Sequence, residues 1–261
     1  MVDEGKIRAA VVGTGNVATR LCLDGDRQRL EVVHVMGRET EKTQQLAKLL
    51  GCGWSTDFLF DDVEAEVLLL CVPDEAIAHV ASQLPNRSWL VVHTSASTPL
   101  EVLSTCSAQT GILYPLQTFT AKRHVPLKSV PFLIEGSDPK ASEKVRQLAS
   151  CFSENIWDSN AKQRLFVHLS AVFANNFSNH LLRISEQLLH EVDMPLELLH
   201  PLMMETVEKA MTFSPADAQT GPARRRDAQT LSKHLSALEH HPEWAELYTR
   251  LSHLIEQEYP T

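Results

Sequence analysis

The chain has 261 residues, enough for one large domain or two smaller ones, and two are expected. Its hydrophobic fraction of 43% and charged fraction of 22% belong to a folded globule, which argues against disordered and low-complexity classes. A net charge of -9 argues against a nucleic-acid-binding surface as the main function, because that needs a dominant basic field. No apolar run is long enough to span a bilayer, so no membrane partner is expected. Residues Met1 to Gly5 carry acids where a signal peptide would carry a basic and then an apolar segment. The five cysteines are odd in number, widely spaced and without a Cys-x-x-Cys pair, which fits a reduced, cytoplasmic protein. The twelve histidines show no zinc-type spacing, and no metal is expected.

In chain order, Ile7–Val12 is an apolar run that reads as a first strand. It ends in Gly13-Thr14-Gly15-Asn16-Val17-Ala18, a glycine fingerprint that opens a helical segment. Gly13 would make the tight turn, Gly15 would let backbone approach a pyrophosphate, and Ala18 would let the helix pack on the strand. The anion would rest on helix N-terminal amides. Val32–Met36 reads as a second strand and Thr40–Leu50 as a helix. Glu66–Val72 is a continuous apolar strand of the kind buried on both faces, stopped by Pro73. A helix over Glu75–Leu84, strands over Trp89–His93, Gly111–Tyr114 and Pro131–Ile134, and a helix over Lys140–Phe152 complete an alternating pattern. This predicts an α/β fold, a Rossmann-like doubly wound, mostly parallel sheet, over residues 1–157.

Beyond Asp158 strand-like runs vanish and helical periods continue to the C-terminus, so residues 158–261 are expected to form an all-helical domain for substrate binding and dimerisation. Asn160 and Gln163 have the spacing of a capping box. Phe166, Leu169, Phe173, Phe177, Leu181, Ile184 and Leu188 then recur at helical spacing. Further helices are expected over Pro195–Thr212, Ala223–Leu238 and Pro242–Glu258.

Five places beyond the glycine fingerprint carry possible chemistry. Gly37 and Arg38 end the second strand, where an acid would bind the ribose hydroxyls of NAD and an arginine would accommodate the 2′-phosphate of NADP. Arg38 therefore favours NADP, while Glu39 keeps NAD open. Val72 and Pro73 at the third strand end, with Ser95 in His93-Thr94-Ser95-Ala96-Ser97, could lie against the nicotinamide; alternatively Pro73 only breaks the strand and the hydroxyls only brace turns. Tyr114-Pro115-Leu116-Gln117-Thr118-Phe119 reaches the same edge.

Leu165–Leu182 holds no Lys, Arg, Asp or Glu, which predicts burial all round. At 100° per residue His168, Asn175 and Asn179 fall within about 40° of one another, as a pocket wall or as a polar seam between helices. The dense basic cluster Arg224-Arg225-Arg226 follows Gly221-Pro222, where three cations in a first helical turn would oppose the macrodipole. Such a cluster could hold an arginine for a phosphate or carboxylate, or be a solvated basic turn with Asp227 as counter-charge.

Together these motifs resemble the NADP-dependent oxidoreductases with a Rossmann-like N-terminal domain and a helical C-terminal domain of unknown function, relatives of pyrroline-5-carboxylate reductase and of deazaflavin-dependent NADP reductases. The resemblance rests on V-V-G-T-G-N-V-A, H-T-S-A-S, Y-P-L-Q-T-F, H-L-S-A-V-F-A-N-N-F and Q-T-G-P-A-R-R-R-D. Where the family often has Gly, this chain has Ala96. It implies NADP as cofactor, Arg225 as the pattern arginine, and a homodimer built through the helical domain. The expected activity is hydride exchange between NADP(H) and a small, anionic carbonyl or imine compound. Gly13, Thr14, Gly15, Asn16, Val17, Gly37, Arg38, Val72, Pro73 and Ser95 would bind the cofactor. His168 would be proton donor, Asn175 would orient substrate and Arg225 would hold its carboxylate. The competing expectation is a dinucleotide-binding sensor or interaction protein without turnover.

Overall fold

The computed structural model describes residues 5–58, 60, 62–85, 87–120 and 123–259; the acidic start, Met1 to Glu4, lies outside the described residues. Eight strands form one sheet: β1 (Ile7–Val12), β2 (Leu30–Met36), β3 (Gly53–Ser55), β4 (Val67–Leu70), β5 (Leu90–His93), β6 (Gln109–Pro115), β7 (Phe132–Gly136) and β8 (Ile156–Asp158). Their order is β3-β2-β1-β4-β5-β6-β7-β8, with every pairing parallel except β6 with β7. The order reverses direction between β1 and β4, which is the switch point where open sheets of this kind form a ligand crevice. β1 and the helix over Thr40–Leu50 fall where the apolar pattern places them.

Helices α1 (Asn16–Asp24), α2 (Thr40–Leu50), α3 (Asp74–Gln83) and α4 (Pro139–Ala149) connect the strands. Alternation along β1 sends Ala9 and Val11 into one hydrophobic layer and Ala10 and Val12 into the other, so both faces of the sheet are covered. That is why β4, Val67 to Leu70, is apolar at every position. β3 and β8 are three-residue edge strands without an apolar run of their own, and their pairing to β2 and β7 defines them.

The helical part begins as the sequence predicts, with Asn160 Oδ1 accepting from the Gln163 amide and Gln163 Oε1 from the Asn160 amide, each at 2.9 Å. Helix α5 (Ala161–Ala171) passes into a π-helical segment, Val172–Phe177, and then α6 (Ser178–His190). The chain divides into two compact units, Met1–Phe173 and Ala174–Thr261. The second contains α6, α7 (His200–Thr212), the single turn α8 (Pro215–Ala218), α9 (Ala228–Ala237) and α10 (Pro242–Glu258). Among the described residues no helix is long and apolar enough to cross a membrane.

Two expectations are corrected here. The uncharged stretch Leu165–Leu182 is not buried all round: Phe166, Phe173 and Leu181 are exposed in this single chain. Absence of charge marked a surface that lacks a cover within the chain, not an interior. The helix expected from Ala223 starts instead at Ala228, because Gly221 and Arg226 take left-handed φ of 106° and 54° and Asp227 caps the helix by accepting from the Thr230 amide at 3.0 Å. The three arginines thus sit in a turn before the helix, and the expected conflict with its dipole disappears.

Candidate active site

At the end of β1, Gly13 has φ of 121°, and a Cβ there would lie 2.2 Å from the Cys71 carbonyl oxygen. Only glycine makes this turn, which is pinned by the Gly13 amide on the Met36 oxygen and the Cys71 amide on the Val12 oxygen, both at 2.8 Å. α1 starts directly after Gly15 with no side chain capping it, and nothing lies within 4 Å of a Cβ built on Gly15. The first turn of α1 therefore has no side-chain cap and leaves open space over Gly15, as a pyrophosphate cradle requires. Asn16 contributes backbone there, since its side-chain amide donates to the Phe119 carbonyl at 3.0 Å. Thr14 and Thr43 crowd the place of a Gly37 side chain, so the ends of β1 and β2 meet closely. Beyond Gly37, Arg38 is exposed and makes no hydrogen bond or ion pair among the described residues, whereas Glu39 pairs with Lys42 at 2.8 Å. The cation at this strand end is free and the acid is engaged.

Three further strand ends bring polar groups to the same edge of the sheet. After β4, exposed Pro73 leads into α3, whose first residue Asp74 accepts from the Ser97 hydroxyl at 2.7 Å. After β5, Ser95 is buried, and its hydroxyl accepts from the amides of Ser97 and Thr98. That hydroxyl braces its own turn and leaves Ser97 as the exposed one. On β6, Tyr114 Oη lies 3.0 Å from Nδ1 of His168 on α5, with the rings edge to face. Burial pushes the Tyr114 phenol up and the Asp74 charge pushes it further, so it stays protonated at neutral pH. His93 is fully buried; burial and then the Arg164 charge hold its imidazole down at about 4, although Asp74 and the Pro99 carbonyl favour the cation.

Tyr114 entered the sequence reading only through its motif, and Arg164 and Glu135 did not enter it. Arg164 is completely buried, its Nη1 donating to the Glu135 carboxylate on β7. The available signal was spacing, because Arg164 stands four residues before His168 on the same helix face.

The remaining expected residues lie in the second unit. Asn175 lies within the π-helical segment and Asn179 just after it, and the wider spacing there breaks the 100° register expected to put them on one face with His168. In the arginine cluster, Arg224 lies over the Tyr259 ring at 4.4 Å and Arg226 donates to the Glu256 carbonyl at 3.2 Å. Arg225 is exposed, and its guanidinium has no hydrogen-bonding partner among the described residues. Hydrogen bonds from the Thr230 hydroxyl and amide hold the Asp227 carboxyl below its usual range.

Fold and site define a Rossmann-type dinucleotide-binding protein with a helical C-terminal part. Residues 8–97 match the family model for coenzyme F420-dependent NADP oxidoreductases, and residues 130–255 match a domain of unknown function, DUF2520. No curated protein matches the chain. Among solved structures, a candidate NADP oxidoreductase from Bacteroides fragilis is 31% identical with a TM-score of 0.86, covering 97% of this chain and 98% of that one. The chain belongs to the same NADP oxidoreductase family. Similar in fold at 13% identity are 1-pyrroline-5-carboxylate reductase from Streptococcus pyogenes (TM-score 0.64, 97% and 99% of the two chains) and a reductive aminase from Aspergillus terreus in complex with NADPH and ethyl-5-oxohexanoate (TM-score 0.74, 97% and 93%).

Proposed function

We propose that the protein is an NADP-dependent reductase of a small, anionic carbonyl or imine compound. The observation that carries this reading is the pair of Tyr114 Oη and His168 Nδ1, 3.0 Å apart, at the same sheet edge as the glycine cradle. Bound NADPH supplies the hydride. The amides after Gly15 hold the pyrophosphate, with Gly13, Thr14 and Gly37 shaping the approach and Val72, Pro73 and Ser95 at the nicotinamide end. Free Arg38 pairs with the 2′-phosphate, and the engagement of Glu39 by Lys42 weighs against NAD.

As the imidazolium, His168 donates from Nδ1 to the Tyr114 oxygen and gives its Nε2 proton to the substrate nitrogen or oxygen as the hydride arrives, which leaves a neutral imidazole that regains a proton from solvent. Arg225, whose guanidinium makes no hydrogen bond among the described residues, holds the substrate carboxylate, and Asn175 orients the reacting group. The exposed apolar residues of the helices are covered by a second copy, giving a homodimer. The site of action is the cytoplasm, in keeping with five free cysteines, of which buried Cys71 is pushed up to about 12 by its burial.

The test is NADPH oxidation by the purified protein against a panel of keto acids and cyclic imines. Turnover is expected to fall by about 100-fold or more in His168→Ala. Arg38→Ala is expected to weaken NADPH binding about tenfold to 100-fold while leaving NADH binding unchanged. Tight NADPH binding without turnover on any compound would instead favour a sensor and overturn the reductase reading.

A further inference from the structure

The lower half of α5 carries a charged pair that the reaction does not use. Arg164 is wholly buried and bonded through Nη1 to Glu135, while its Nε and Nη2 find no partner among the described residues. His93, also buried, shares its cross-strand row: His93 pairs with Ile112, and Ile112 with Glu135. One row nearer the sheet edge, on the same face, Tyr114 pairs with Leu133. The helix matches this spacing. Four residues from Arg164 to His168 rise about 6 Å along α5, and two residues from Ile112 to Tyr114 rise about 7 Å along β6. The helix is thus fastened to the β6–β7 pair at two rungs, Arg164 with Glu135 below and His168 with Tyr114 above.

The lower rung is an expensive way to hold a helix. A buried ion pair often gives no more stability than apolar residues of similar volume, and unpaired buried donors add to its cost. What apolar residues cannot supply is a directional contact that fixes the height and rotation of α5. We propose that Glu135 and Arg164 are a positioning pair that sets His168 Nδ1 against Tyr114 Oη. This rests on reading Tyr114 and His168 as the proton-delivering pair, but its test needs no turnover.

The experiment is imidazole 15N NMR of the full chain, with Tyr114→Phe marking the Nδ1 shift of His168 without its partner. Combined Glu135→Leu and Arg164→Met leaves net charge unchanged, so a moved signal reports geometry. The expected result is an unfolding temperature within a few degrees of the parent, with the Nδ1 shift moved toward the Tyr114→Phe value. A folded double variant with the parent Nδ1 shift overturns the proposal. Glu135→Asp, which keeps the ion pair and shortens its reach, serves if the double variant does not fold: a partial movement supports the proposal and an unchanged shift overturns it. If a substrate is found, kcat in the double variant should fall about tenfold with NADPH affinity unchanged. Absence of turnover in the parent protein would remove the reductase reading while leaving the NMR result to decide the positioning pair.

Discussion

The unit Met1–Phe173 closes hydrophobic layers over both faces of its sheet, whereas Ala174–Thr261 buries only Ala223 and Leu238 among its described hydrophobic residues and exposes Leu202, Met204, Val207, Met211 and Phe213. On α7, Met204, Val207 and Met211 recur at helical spacing as one stripe, with Met211 80% exposed. Exposed Phe166 on α5 and Phe173 in the π-helical segment extend the same character into the end of the first unit. The sheet is a finished core and the helices are not. The proposed homodimer would cover this apolar helical surface with a second copy of the chain.

The largest expected effect breaks that comparison directly. Val207→Asp with Met211→Asp puts two charges into the stripe, and light scattering should show the dimer weakened on the order of 1,000-fold, about 4 kcal/mol. A parent protein that is monomeric at tens of micromolar would mean the helices are stable uncovered. In the sheet unit, Gly13→Val sets a β-branched residue at φ of 121° with its Cβ against the Cys71 oxygen. It should cost about 3 kcal/mol or more and abolish NADPH binding, as read by urea unfolding and fluorescence titration. Dimerisation should persist.

Acid should also act on the sheet unit first. Burial lowers the His93 pKa from 6.5 to about 4, so between these values the unfolded chain binds the extra proton. The stabilisation is complete above pH 6.5 and is lost as the pH falls toward 4, about 3 kcal/mol in all, at up to about 1.4 kcal/mol per pH unit. Urea midpoints measured from pH 7 to pH 4 should show this slope, and His93→Gln should flatten it.

How much was legible in the sequence follows the same division. β1, β4 and the glycine turn could be read because apolar runs and a glycine requirement are local properties. β3 and β8 could not, since three residues carry no period and their pairing comes from strands elsewhere in the sheet. His168 was readable as chemistry, but its partner lies 54 residues away and only the fold joins them. Arg164 had no local signal of its burial, since Glu135, its partner inside the fold, lies 29 residues upstream. In the helices from α5 onward, local rules misled twice: lack of charge suggested burial, and Gly-Pro suggested a helix start that left-handed Arg226 postpones.

The smallest effects sharpen the comparison most finely, because each unit has a helix capped by an aspartate. Asp138 accepts from the amides of Lys140 and Ala141 at the start of α4, and Asp227 accepts from the amide and hydroxyl of Thr230 at the start of α9. Replacing Asp138 by Ala should cost about 1 kcal/mol, and replacing Asp227 by Ala should destabilise α9 in the same direction. If the sheet is a finished core, Asp138→Ala shifts the unfolding midpoint equally at every protein concentration. If the helices depend on a second copy, the Asp227→Ala midpoint should move with concentration, since loosening α9 also loosens the surface that pairs. Two variants that behave alike across a 100-fold dilution would show the units to be one cooperative body, and the contrast between them would then describe packing alone.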